Sequence, residues 1–158
     1  MIGLIQRVSH AEVRVGNTVV GKIGRGLLAF IGVERDDTPA EAERLARRIV
    51  GYRVFPDDQG RMNLGLTDVG GGILLVPQFT LAADTRKGSR ASFGPAADPE
   101  TGEKLFDCVV ESARQSGLTV ATGEFRAHMK VALENDGPVT FLLQASSENT
   151  KSRRRGVG

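Results

Sequence analysis

The 158 residues suffice for one domain with a real core, and a chain that is 40% hydrophobic and 25% charged has the composition of a globular protein. The net charge of +2 is uneven: the last twelve residues hold four of the 21 cations (Lys151, Arg153, Arg154, Arg155) and one of the 19 acids (Glu148), which leaves 17 against 18, a net of −1, in positions 1–146. These figures exclude nucleic-acid binding through a broad basic field, and the lone Cys108 excludes an internal disulfide framework.

No apolar run approaches a membrane span, and "MIGLIQRVSH" lacks the layout of a signal peptide, so a reducing cytoplasm is the expected compartment. "LIQRVSHAEVRV" reads as a long strand, Gly16-Asn17 as a turn and "TVVGKIG" as the strand running back. "GLLAFIGV" is almost wholly apolar, as expected of a strand covered on both faces. A helix follows, with Thr38 as N-cap, Pro39 at its first position and Glu41 completing a capping box. Ala42, Leu45, Ala46 and Ile49 form its apolar stripe, and Glu43 and Arg47 pair on another face. "GYRVFPDDQGRMNLGL" reads as irregular, with one short strand. "GGILLVPQFTLAAD" reads as a buried strand interrupted by Pro77, and "TRKGSRASFGPAA" as a loop rich in Gly, Ser and basic residues. A second helix opens at Asp98 and Pro99, turns Leu105, Phe106, Val109 and Ala113 inward, and ends near Gly117.

Two apolar alternations close the chain, Met129-Val131-Leu133 and Val139-Phe141-Leu143, joined by "NDGPVT". Asp136-Gly137 between them predicts a hairpin, yet Pro138 stands where the return strand should begin to donate hydrogen bonds, and Pro has no N–H. The expected architecture is α+β: curved antiparallel or mixed β-sheets forming a partial barrel, with two main helices packed outside. Residues 1–145 form the domain and 146–158 a basic tail expected to be disordered.

The usual catalytic sets are missing. The two histidines, His10 and His128, lie in no metal pattern and read as surface or strand residues. There is no Gly-x-Ser-x-Gly elbow and no Walker loop, and the glycines at 70–72 precede a strand, where a tight turn is their role. Cys108 reads as inert core within a helix. Two stretches stand out instead: "PQFTLAADTRKG", which sets Gln78, Phe79 and Thr80 beside apolar residues at a strand end, and "NDGPVT". For the first, a bulge in a core strand with Thr80 facing solvent is the plainer alternative.

Together these stretches carry a family resemblance. "QFTLAADT" followed some fifty residues later by "NDGPVTF", with "IQRV" near the start, resembles the D-aminoacyl-tRNA deacylases of the D-tyrosyl-tRNA deacylase type. "GLLAFIGVERDD" and "GYRVFPDDQGRMNL" extend the match over nearly all of 1–145. The resemblance implies a proofreading hydrolase that frees tRNA from D-amino acids, binds tRNA, works as a homodimer and needs no metal or cofactor. It implies a cis Gly137–Pro138 bond whose pair enters the partner's active site as a chirality filter, with two carbonyls holding the substrate's α-amino group. It implies that Arg7 orients this pair. It also implies that Gln78, Phe79 and Thr80 form the opposing catalytic motif, whose backbone N–H groups face the scissile ester, with Phe79 helping to place the terminal adenosine. Such an activated ester needs a positioned water and donors for the oxyanion more than a side-chain nucleophile. Thr80 as nucleophile is the alternative, but no base is near it in sequence.

One position departs from the pattern: the motif usually begins Ser-Gln-Phe-Thr, and this chain has Pro77. A related animal branch, acting on L-alanine misattached to a threonine tRNA, has Pro there, with Ala in place of Phe79 and a trans Gly-Pro bond. Phe79 favours the D-specific class. Glycyl-tRNA, including glycine mischarged on alanine tRNA, is an implied second substrate. The rival functions are a non-enzymatic nucleic-acid-binding protein on the same fold and a relaxed deacylase clearing misattached L-amino acids.

Overall fold

A computed structural model describes residues 1–146. The expected basic tail therefore lies, from Ser147 onward, outside the described residues. The elements are β1 (Ile2–Val15), β2 (Thr18–Ile23), β3 (Gly26–Gly32), α1 (Pro39–Val50), β4 (Phe55–Pro56), β5 (Met62–Leu64), α2 (Leu66–Val69), β6 (Gly72–Pro77), α3 (Pro99–Arg114), β7 (Val120–Thr122) and β8 (Met129–Gln144).

The length of β1 organises the sheet. Its first half pairs with β3, its second half with β2, and β8 runs beside nearly all of it, each antiparallel. β3 then pairs with β6, and β6 with β7, both in parallel. The order β2-β1-β3-β6-β7 brings its two ends, β2 and β7, back into contact, so the mixed sheet nearly closes into a barrel. This is the partial barrel that the order of elements predicted.

The apolar runs explain the layering. Along β3, Leu27, Ala29 and Ile31 point into the cluster shared with α1 and α3, whereas Leu28 points into the barrel. Along β6, Ile73 and Leu75 take the helix side, and Leu74 and Val76 the barrel side. Both strands are thus covered on both faces. From α1, Ala42, Leu45, Ala46 and Ile49 are buried; from α3, Leu105, Phe106, Val109 and Ala113.

The caps form as their residue types predict. The Glu41 carboxylate accepts from the Thr38 backbone N–H at 2.8 Å and from its hydroxyl at 2.5 Å. Asp98 accepts from the Thr101 N–H at 3.0 Å. The irregular stretch holds more order than expected: β4 and β5 pair, and the Asp57 carboxylate accepts from the N–H groups of Gln59 and Arg61 at 2.9 Å each and from Asn63 Nδ2 at 2.8 Å.

The hairpin predicted at Asp136-Gly137 does not form. β8 continues in one direction through it, because both apolar runs pair with the same strand, β1. Asn135 pairs with Val8 and Thr140 with Gln6, so a step of two residues on β1 is matched by five on β8, and the surplus bulges out. The Asn135 side chain replaces the missing ladder partner. Its Oδ1 accepts from the Val139 N–H at 2.8 Å, and its Nδ2 donates to Thr140 Oγ1 at 3.1 Å. Two alternating runs on one strand look, in sequence, like two strands.

Candidate active site

β6 ends where its sequence forces it to. Pro77 closes the parallel register opposite Ile31 and has no N–H with which to extend it. Gln78 makes one more bond, its N–H donating to the Ile31 carbonyl at 2.8 Å. The chain then tightens into a single 3₁₀ turn, Phe79–Ala82, and its first bond runs from the Leu81 N–H to the Gln78 carbonyl at 3.2 Å. The N–H groups of Phe79 and Thr80 precede that bond and meet no backbone acceptor among the described residues. Gln78 Nε2 donates to Thr80 Oγ1, which engages the hydroxyl, and Thr80 faces solvent. Gly32 permits the close packing of the turn: a Cβ there would lie 2.9 Å from Leu81 Cβ and 3.3 Å from the Gln78 carbonyl oxygen.

The turn adjoins a cavity of about 510 Å³. Ile31, Val33, Val76, Phe106, Phe125 and Met129 supply apolar wall, and Gln78 and Phe79 stand with Asp98 and His128 in its lining. Phe79 is 60% exposed, and its ring centroid lies 5.2 Å from that of Phe93, itself 48% exposed. Two solvent-facing aromatic rings beside a cavity form a surface on which a planar ligand can stack. Asp98 is not poised as a proton donor: the Thr101 backbone N–H holds its carboxyl below the usual range, and its role is the α3 cap. His128 is exposed, as the sequence suggested, but it also lines the cavity.

Sequence reasoning missed Phe93, Phe125 and Met129 as site residues. Phe125 and Phe93 lie in loops with no periodicity, and Met129 reads simply as the first of an alternating run. A wider trough of about 750 Å³ lies between α1 and α3, beside Glu43, Arg47, Asp107, Cys108 and Glu111, and contains none of the predicted site residues. Among the described residues, no group of three His, Cys, Asp or Glu side chains is placed to hold a metal ion.

The second motif is built around Arg7. Its Nε donates to the Asp136 carbonyl at 2.8 Å and its Nη1 to the Val54 carbonyl at 2.6 Å, tying the bulge of β8 to the segment before β4. The Gly137–Pro138 bond is cis, and Gly137 has φ +154°. Asp136, Gly137 and Pro138 are all exposed. None of residues 135–140 lines the cavity. The fold therefore sets Gln78 and Phe79 in the cavity lining with Thr80 next to them in the turn, ties Arg7 to Asp136 at the bulge, and brings no residue of 135–140 into that lining.

A family model described as D-Tyr-tRNA(Tyr) deacylase matches residues 4–144. The chain is 65% identical over 145 residues to a D-aminoacyl-tRNA deacylase of Alkalilimnicola ehrlichii, covering 92% of this chain and 97% of that protein. It is 64% identical over 144 residues to one of Thioalkalivibrio sulfidiphilus, covering 91% and 97%. A solved structure titled c-Myc DNA Unwinding Element Binding Protein superposes with a TM-score of 0.87 at 35% identity, covering 93% of this chain and 100% of that one. A further structure, titled as a probable eukaryotic D-amino acid tRNA deacylase, shares the fold with a TM-score of 0.78 at 18% identity, covering 90% and 97%.

Proposed function

The chain belongs to the D-aminoacyl-tRNA deacylase family, and on that premise we propose that the Gln78–Thr80 turn and the Gly137–Pro138 pair make one site only when two copies meet. The reaction is hydrolysis of the ester joining a D-amino acid to tRNA, which releases both. The observation that carries the composite site is a separation. An anchored, exposed peg and an exposed cavity lie apart on one chain, each lacking the half that the other offers. A twofold pairing supplies each cavity with the partner's peg. Among the described residues β8 pairs with no strand other than β1, and Leu142 on it is 56% exposed.

In the assembled site the terminal adenosine enters the cavity beside Phe79. A water adds to the ester carbonyl carbon, and the N–H groups of Phe79 and Thr80 receive the charge that develops on the carbonyl oxygen. The bond to the ribose 3′-oxygen then breaks, and that oxygen leaves with a proton. The neighbouring 2′-hydroxyl assists the water, and Thr80 positions rather than attacks. The partner's Gly137 and Pro138 hold the α-amino group and leave no room for an L side chain. Glycine has no side chain to reject, so glycyl-tRNA, including glycine mischarged on alanine tRNA, passes the same filter. A charged-tRNA substrate supports a cytoplasmic location; no helix among the described residues is long and apolar enough to cross a membrane.

The test is subunit mixing. Phe79→Ala damages the cavity and Gly137→Val the peg, so each homodimer is inactive. Random reassociation gives half heterodimers, each with one intact site, and restores about a quarter of wild-type activity. No recovery, with heterodimers demonstrated, rejects a site shared across subunits. The name of the 35%-identical structure supports a second reading, DNA binding without hydrolysis. A protein of that kind would release no amino acid from D-tyrosyl-tRNA.

A further inference from the structure

The loop from Asp84 to Phe93 carries Arg86, Lys87 and Arg90 against one acid, whereas acids outnumber cations in the rest of positions 1–146. That acid is committed. Asp84 holds the Arg86 guanidinium through two bonds, 2.9 and 2.7 Å, and accepts the Arg86 N–H at 3.0 Å. Lys87 and Arg90 are exposed, and among the described residues no carboxylate lies within ion-pair distance of either. The loop's position is not left to chance. Asp84 and Ser92 exchange both backbone hydrogen bonds, at 2.8 and 3.0 Å, which pins its neck. The next residue, Phe93, packs its ring on Phe79 at the cavity. Arg90 is three residues from Phe93, at most about 10 Å of chain.

Two free cations and a half-exposed aromatic ring beside a nucleoside-sized cavity make the arrangement by which proteins track single strands: cations on phosphates, a ring under a base. We propose that Lys87 and Arg90 grip backbone phosphates of the substrate's single-stranded 3′ end, immediately before the nucleoside that enters the cavity, with Phe93 as a stacking surface. The assignment rests on the deacylase site proposed above. The short tether sets the strand end, rather than the duplex stem, as the part within reach.

The experiment compares wild type with the Lys87→Gln/Arg90→Gln double variant on three substrates carrying D-tyrosine: charged tRNA, a short charged oligonucleotide ending in CCA, and D-tyrosyl-adenosine, which has no phosphate. On tRNA and oligonucleotide alike, kcat/KM falls about tenfold at about 50 mM salt, through KM rather than kcat. The slope of log kcat/KM against log salt becomes shallower by about 1.4, the value for two single-strand phosphate contacts. D-tyrosyl-adenosine loses much less. Loss on tRNA alone overturns the assignment in favour of the duplex. Equal loss on all three overturns it as damage to the cavity, and no loss on any overturns it outright. A wild-type protein inactive on all three substrates rejects the deacylase site itself, a different failure.

Discussion

Thr80 shows how far a residue's chemistry depends on its neighbours. A threonine hydroxyl attacks only when a base takes its proton, and here the hydroxyl accepts from Gln78 Nε2 with no such base bonded to it. Thr80→Ala should keep kcat within about threefold of wild type, because the backbone N–H groups survive the change. A fall of several orders of magnitude, or a trapped acyl-enzyme, would restore the nucleophile. Arg7 acts at one remove. Its two bonds, to the Asp136 and Val54 carbonyls, tie the exposed bulge of β8 to the segment before β4, and it does not line the cavity. In Arg7→Ala, kcat/KM for D-tyrosyl-tRNA should fall about 10- to 100-fold, the equivalent of two charge-assisted bonds only partly replaced by water. The preference for D over L should narrow at the same time. Matched D- and L-charged tRNA would measure both, and an unchanged D/L ratio would remove Arg7 from the filter.

Among the elements, α1 offers the clearest test of what caps it. Burial pushes the Glu41 carboxyl up, but the bonds from the Thr38 side chain and backbone outweigh it, and the net direction is below the ordinary value of 4.5. A carboxyl lowered on folding stabilises the native state fully above its unfolded value, and that contribution is lost as the pH falls through the folded one. Glu41→Ala should therefore cost about 1 kcal/mol at neutral pH. The gap between wild type and variant should narrow on acidification below 4.5. Urea unfolding on both sides of that value reads it directly, and a gap that widens in acid would mean the cap is not ionic.

For the whole molecule, the question is what covers β8. A monomer that leaves Leu142 and part of Phe141 in water wastes apolar surface that a second copy can bury. Leu142→Asp should shift sedimentation towards monomer and reduce deacylation at least about tenfold, while the chain stays folded by circular dichroism. Full activity in a clean monomer would end the case for a shared site. The dispensability of the tail is testable as well, and the contacts of Ser146 put the cut after it. Ala145 is buried, its N–H donates to the Met1 carbonyl at 2.9 Å, and the Ser146 carbonyl accepts from Arg44 at 2.8 Å. Truncation after Ser146 keeps these contacts and should leave fold and oligomeric state unchanged. Loss of the oligomer would assign the tail a structural part.

The sequence alone determined whatever is written in local periods and caps. β3 and β6 were legible because a strand covered on both faces must be apolar throughout, and α1 and α3 because Thr38, Pro39, Asp98 and Pro99 act within one turn of themselves. The two motifs were visible as a family pattern, Gln78–Thr80 and Gly137–Pro138 with Arg7. Only the tertiary structure decided that 129–144 is one strand with a bulge. A period of two says which face a residue takes and nothing about which partner it pairs with, and it was pairing with β1 on both sides of the break that removed the hairpin. It also decided the cavity, because Phe106 comes from a helix, Val76 from a strand and Phe125 from a loop, and no sequence spacing encodes their meeting. Arg7 reaches a carbonyl 129 residues away for the same reason: side chains act over ångströms in space, and the barrel supplies that nearness by closing.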